Sequence, residues 1–107
     1  MRERSSPDRY AGIIAATQSL RTGGIPAVAA CLQAHGIDPH GCVLIACTPS
    51  QGEDIYAVMA PGPVVASVEV PRDGAPPVFS SERLHKGRRS REVDFAFRWV
   101  TTGRQPD

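Results

Sequence analysis

The spacing of the apolar residues changes at Cys42, and this change constrains the fold more than any other feature of the sequence. Before it, apolar side chains recur every three or four positions over residues 6–21 and 26–35, which predicts two amphipathic helices. After it, residues 42–48 form a continuous apolar run bounded by glycine and proline, which predicts a strand that is buried on both faces. A chain that places its helices first and its extended segments afterwards is typical of an α+β fold.

Three further strands are predicted downstream. Residues 54–60 and 64–70 are joined by a Pro-Gly-Pro connection, which predicts a hairpin. Residues 92–99 alternate between apolar and mostly polar side chains, which predicts a strand with one buried face. That buried face consists of Val93, Phe95, Phe97 and Trp99. We therefore expect two N-terminal helices packed on one face of a four-stranded, mostly antiparallel sheet, with Trp99 in the core.

The length of 107 residues suits one domain, so we expect residues 1–107 to form a single unit. Residues 1–5 and 102–107 are expected to be loose ends. The connection over residues 71–91 is longer than most structureless loops of a compact domain, and loops of that length are usually functional or disordered. Residues 78–79 are a candidate for a short strand within it.

Charge is distributed unevenly along the chain. Twelve Lys and Arg face eleven Asp and Glu, for a net charge of +1, yet residues 72–107 contain eight of the basic residues and only five of the acidic ones. Eleven of the twelve basic residues are Arg and no Asn is present, a bias of GC-rich codons that indicates a bacterial or phage source. The near-neutral total is unlike that of a dedicated nucleic-acid-binding domain, which is usually strongly basic.

The basic residues concentrate in the segment 83–91, which contains no acidic residue. We take five of them as candidate partner-binding residues: Arg83, Lys86, Arg88, Arg89 and Arg91. Such a cluster can attract an acidic protein surface, neutralise nucleic-acid phosphates, or simply keep a loop solvated. Arg72 and Arg98 are possible neighbours of this segment, and the unpaired edge of the sheet is a second candidate surface for a protein partner.

Five potential metal ligands or nucleophiles lie within 17 residues: Cys31, His35, His40, Cys42 and Cys47. No pair has the C-x-x-C spacing of common zinc sites, so we predict no metal, although a zinc site on the first four stays open as an alternative. A Cys–His pair could activate a thiolate, but the sequence supplies no recognisable group to orient the imidazole. We therefore predict no catalytic residues and no cofactor.

Taken together, these patterns predict a small non-enzymatic binding or regulatory module that engages a protein partner with an acidic surface, partly through the Arg-rich segment. A nucleic-acid backbone binder that uses the same segment is the alternative. The odd number of cysteines favours a reduced, cytoplasmic protein. No apolar run reaches the ~20 residues of a membrane span, so no membrane partner is expected.

Overall fold

The computed structural model describes residues 6–84, 87 and 89–106, with the side chains of residues 6–9 excepted. The elements are α1 (Ser6–Arg21), α2 (Pro26–Ala34), a 3-10 turn (Pro39–Gly41), β1 (Val43–Ser50), β2 (Glu53–Ala60), β3 (Val64–Pro71), β4 (Val78–Arg83) and α3 (Arg91–Thr102). Within these residues, no helix is long and apolar enough to cross a membrane.

The four strands form one antiparallel sheet in the order β1-β2-β3-β4, so each strand pairs with its neighbour in sequence. The tight β1–β2 connection depends on Gly52, whose φ of +77° is unfavourable for other residues. The predicted hairpin is present as β2 and β3. The α+β class and the antiparallel sheet are thus confirmed.

The C-terminal segment is a helix, and the prediction of a strand over residues 92–99 was wrong. The Ser90 hydroxyl accepts a hydrogen bond from the Val93 N–H at 3.1 Å and caps the first turn of α3. Gly103 ends the helix in the left-handed conformation, with φ of +74°. The residues that α3 buries, Phe95, Ala96 and Trp99, share one helical face. Trp99 is buried as expected, with 5% of its surface exposed, but it lies on a helix.

The fourth strand lies instead within the segment 71–91 that was predicted to be a loop. It is β4, which extends the short strand suspected at residues 78–79 as far as Arg83. The helices are therefore not both N-terminal, because α3 follows the sheet. Of the ends expected to be loose, residues 1–5 and Asp107 lie outside the described residues, and Thr102 belongs to α3.

Helices cover both faces of the sheet, whereas one covered face was expected. One face carries Leu44, Val58 and Val68 and packs against Val28 and Leu32 of α2, and we call it the α2 face. The opposite face packs against α3, and we call it the α3 face. Its core contains Val43 and Met59 from the sheet together with Phe95 and Trp99 from α3.

Helix α1 contributes to both cores because it lies against the outer edge of β1. Leu20 near its end joins the core under α2, and Tyr10 near its start stacks on Phe95 of α3 with ring centroids 4.1 Å apart. The buried Thr17 hydroxyl accepts a hydrogen bond from the Leu44 N–H at 2.9 Å. This bond satisfies a strand amide that no neighbouring strand reaches.

Only the start of β1 is buried, which corrects the prediction of burial on both faces along residues 42–48. Val43 and Leu44 are fully covered, whereas every residue from Ala46 to Ser50 is exposed. The pairing with β2 shifts by one residue between Leu44 and Ala46, as in a β-bulge. The second half of β1 therefore runs beyond the helices into solvent.

Candidate functional site

The two edges of the sheet differ in how far their backbone is covered. At β1, Arg21 of α1 donates from Nε and Nη2 to the Cys42 carbonyl at 3.2 and 3.0 Å, next to the hydrogen bond between Thr17 and Leu44. Farther along, the bulge interrupts the strand and Pro49 has no N–H to offer. Cover, bulges and proline are the devices by which proteins prevent an edge strand from pairing with another chain.

Among the described residues, the β4 edge has no bulge, no proline and no side chain hydrogen-bonded to its outer backbone groups. Its six residues pair with β3 in one uninterrupted register, from Glu69 opposite Val78 to Val64 opposite Arg83. It contains no proline, and within the described part of the chain no strand pairs with its other side. An edge of this kind is a template on which an extended segment of another chain can add as a further strand.

The register identifies which backbone groups of β4 face outward. The Leu84 N–H donates to the Pro63 carbonyl at 3.2 Å, and Leu84 lies opposite Pro63 in the same register. Bonded and non-bonded pairs alternate along an antiparallel ladder, so the residues that bond to β3 are the even-numbered ones. The N–H and C=O groups that point away from the sheet belong to Phe79, Ser81 and Arg83.

The side chains of β4 differ in their surroundings on the two faces of the sheet. Phe79, Ser81 and Arg83 lie on the α2 face, where the His35 ring stacks on the Phe79 ring at 3.8 Å and 16°. This stack joins the end of α2 to the edge strand. Val78 lies on the α3 face and is the only large apolar residue that is mostly exposed in the described part of the chain, at 55%. An exposed valine at a free edge favours an apolar contact with whatever chain pairs there.

A shallow depression runs beside the edge. It is lined by Val65, Ser67, Ser80, Ser81 and Glu82. Helix α3 covers β1 and β2 rather than β3 and β4, so the serine side chains at this end of the sheet leave the surface low and open. The depression can accept side chains of an added strand that point toward the α3 face.

The structure places three of the five predicted partner-binding residues. Arg83 is exposed at the end of β4, and Arg91 is exposed at the first position of α3. Arg89 is also exposed, and its guanidinium carbon lies 4.3 Å from the centroid of the Phe97 ring. Lys86 and Arg88 lie outside the described residues. The candidate cluster therefore begins on the edge strand itself and continues to the start of α3.

The two arginines considered as neighbours are held in ion pairs. Arg72 lies 2.9 Å from Asp54 and also donates to the Glu53 carbonyl at 3.1 Å. Arg98 lies 3.4 Å from Asp94, one helical turn away on α3. Each guanidinium already has a carboxylate partner, which makes Arg72 and Arg98 less suited than an unpaired arginine to attract an acidic partner.

The cysteines and histidines make local contacts instead of converging on one centre. The His35 Nδ1 bonds to the Cys31 carbonyl at 2.9 Å, and the His40 Nδ1 lies 3.3 Å from an Asp38 carboxylate oxygen. Burial raises the pKa of the Cys42 thiol from about 9 to about 11, which keeps it protonated near neutral pH. Among the residues described, no three side chains of His, Cys, Asp or Glu are arranged to hold a metal ion.

Sequence reasoning missed the length of β4 and its outward-facing groups. Val78 and Phe79 have high strand propensity and follow two prolines, and that was the available signal. The remaining residues are polar on both sides of the strand, so they give no alternating pattern. Comparisons of the chain with protein-family models, with curated proteins and with solved structures return no match.

Proposed function

We propose that this chain is a small non-enzymatic binding module with a regulatory role, which takes up an extended acidic segment of a protein partner along β4. The observation that carries the proposal is the uninterrupted β4 edge, where Phe79, Ser81 and Arg83 direct their N–H and C=O groups outward. The partner adds a fifth strand to the sheet, and its main chain supplies the hydrogen bonds.

The basic cluster selects the partner by charge. Arg83 lies on the edge strand, and the chain continues directly through Lys86, Arg88, Arg89 and Arg91. An acidic residue near one end of the added strand would face Arg83 on the α2 face. Charge complementarity of this kind accelerates encounter and fixes the register of the complex.

Backbone pairing alone gives a weak complex. Each net hydrogen bond contributes about 0.5–1.5 kcal/mol, and only three residues of β4 offer outward groups. Contacts of the partner with Val78, with the serine-lined depression and with the arginines therefore decide affinity and specificity. A partner chosen in this way is a protein segment of defined length and charge.

The proposal is tested with a synthetic seven-residue peptide of alternating Val and Glu. Its counterpart with Lys in place of Glu and a single-stranded oligonucleotide are measured in parallel by calorimetry or fluorescence anisotropy at low salt. We expect the acidic peptide to bind about tenfold more tightly than its lysine counterpart, which corresponds to about 1.4 kcal/mol. Added salt should reduce this difference because exposed charges are screened.

Two pairs of variants separate the contributions of backbone and charge. Ser81→Pro removes an outward N–H without removing a bond to β3 and should abolish peptide binding, whereas Ser81→Ala keeps the N–H and should bind normally. The double variant Arg83→Ser with Arg91→Ser should weaken binding. The double variant Arg98→Ser with Arg104→Ser changes the net charge equally and should have little effect.

The alternative function has its own signature in the same experiment. If the oligonucleotide binds and Ser81→Pro does not affect it, the basic segment is a nucleic-acid backbone binder, and the slope of affinity against salt reports its phosphate contacts. If the unmodified chain binds neither peptide at millimolar concentration, the proposal of a strand-accepting edge is wrong.

A further inference from the structure

We propose that β4 also pairs antiparallel with β4 of a second copy of this chain, in the register that places the two Ser81 residues opposite each other. The pairing joins two four-stranded sheets into one of eight strands. It goes beyond the proposed function, because it uses the same open edge but requires neither an acidic partner nor the basic residues that follow Arg83.

The sequence around Ser81 is chemically self-complementary. In this register Phe79 faces Arg83 of the second copy, Ser80 faces Glu82 of the second copy, and Val78 faces Leu84 of the second copy. These are an aromatic–cation pair, a hydroxyl–carboxylate pair and an apolar pair, and the two-fold symmetry makes each of them twice. Favourable pairs directly opposite each other stabilise an antiparallel ladder.

The pairs also meet on the correct faces of the joined sheet. A two-fold axis perpendicular to the sheet keeps the α2 face of both copies on one side. Phe79 and Arg83 both lie on the α2 face, and His35 occupies one side of the Phe79 ring. The guanidinium of the second copy's Arg83 meets the other side of that ring. The remaining two pairs lie together on the α3 face.

Neighbouring registers are less favourable for identifiable reasons. Outward-facing residues must meet outward-facing residues, so an odd-numbered residue of one copy must lie opposite an odd-numbered residue of the other. The second copy can therefore slide along β4 only by two residues at a time. One shift places Glu82 opposite Glu82 of the second copy, and the next places Arg83 opposite its own equivalent. Like charges directly opposite each other are destabilising. The shift in the other direction brings Pro77, which has no N–H, opposite Arg83 of the second copy.

The helices leave room for this arrangement. Helix α2 packs over β3, and the β3 strands of the two copies would be three strand spacings apart, or about 14 Å. Packed helices need only 8–10 Å between their axes. A six-residue edge buries little surface, so we expect a weak dimer that dissociates on dilution and leaves the edge available to a partner.

Disulfide trapping tests the register directly. Cys31 and Cys47 are free and at least partly exposed, so both are first replaced, by Ala and Ser respectively. In this background, Ser80→Cys and Glu82→Cys proteins are prepared separately, mixed at high concentration and treated with a mild oxidant. Positions 80 and 82 of opposite copies form a non-hydrogen-bonded pair with Cα atoms about 4.5 Å apart, which suits a disulfide. We expect the mixed dimer to be the main crosslinked product by mass spectrometry. A Thr101→Cys protein, whose cysteine is exposed on α3, gives the rate of crosslinking through random encounters.

The crosslinked products distinguish the Ser81-centred register from other registers and from random encounters. Dominant dimers through position 80 alone or position 82 alone would contradict the Ser81-centred register. Crosslinking no faster than that of the Thr101→Cys protein would overturn self-pairing, and if the acidic peptide still binds, the proposed function stands. Sedimentation of the unmodified chain should show concentration-dependent dimers that Ser81→Pro removes. If Ser81→Pro changes neither sedimentation nor peptide binding, the edge itself is not the site and both proposals are wrong.

Discussion

The hydrogen bond from Leu44 to Thr17 explains why the β1 edge is closed, and Thr17→Val tests this explanation. The Thr17 hydroxyl is fully buried and accepts from the Leu44 N–H at 2.9 Å. Valine has nearly the same volume, so the substitution removes the acceptor and leaves a buried N–H without a partner. Such a group costs about 1–3 kcal/mol of unfolding free energy. In a domain of this size, that loss lowers the Tm by about 5–15 °C.

The assay combines thermal unfolding with amide hydrogen exchange. Thr101→Val serves as the control, because the Thr101 hydroxyl bonds to the Phe97 carbonyl at 2.9 Å on the exposed side of α3 and its loss should stay within about 0.5 kcal/mol. In Thr17→Val, the Leu44 amide should exchange faster than in the unmodified chain. A Tm equal to that of the control, with Leu44 still protected, would refute the role of α1 as the cover of this edge.

Three other expectations concern the core, the buried thiol and the exposed arginines. Because Trp99 is buried, Trp99→Ala should lower the free energy of unfolding by about 3–5 kcal/mol and unfold the domain, which circular dichroism would detect. Unchanged stability would contradict the place of Trp99 in the core. Because burial raises the Cys42 pKa from about 9 to about 11, the folded state holds this proton more tightly, so stability is full below pH 9 and falls as the pH rises from 9 to 11. Urea titrations of Cys42→Ala should lack that part of the decline, and an identical decline in the variant would show that the thiol is not its source. Replacing Arg89 and Arg91 by Ser should change the unfolding free energy by no more than about 1 kcal/mol, since both are exposed; a larger loss would make them structural residues.

The sequence predicted the first two helices from apolar residues that recur every three or four positions, and the central hairpin from two runs joined by Pro-Gly-Pro. The prediction of a strand over residues 92–99 was wrong because their alternating pattern fits a strand, whereas the spacing of Phe95, Ala96 and Trp99 fits a helix equally well. The capping serine at 90 and the glycine at 103 distinguish the two, since both are signals of helix ends. A capping serine before a segment and a glycine after it therefore indicate a helix more strongly than a short alternating pattern indicates a strand.

The candidate site was predictable only in part. The charge cluster is visible in the sequence, and a free sheet edge was expected, but its identity as β4 depends on tertiary pairing that a polar strand does not reveal. Which carbonyls and amides face outward follows only from the register with β3. Backbone groups are the same in every residue, so no composition could single out Phe79, Ser81 and Arg83.

The most direct test of the open edge is residue-resolved amide exchange by NMR at a protein concentration low enough to keep the chain monomeric. In the free chain, the amides of Phe79, Ser81 and Arg83 should exchange rapidly, whereas those of Ser80 and Glu82 should be protected by β3. Adding the acidic peptide should protect the first three and leave the other two nearly unchanged. Protection of the first three before any peptide is added, or rapid exchange that persists at saturating peptide, would contradict a β4 edge that accepts a partner strand.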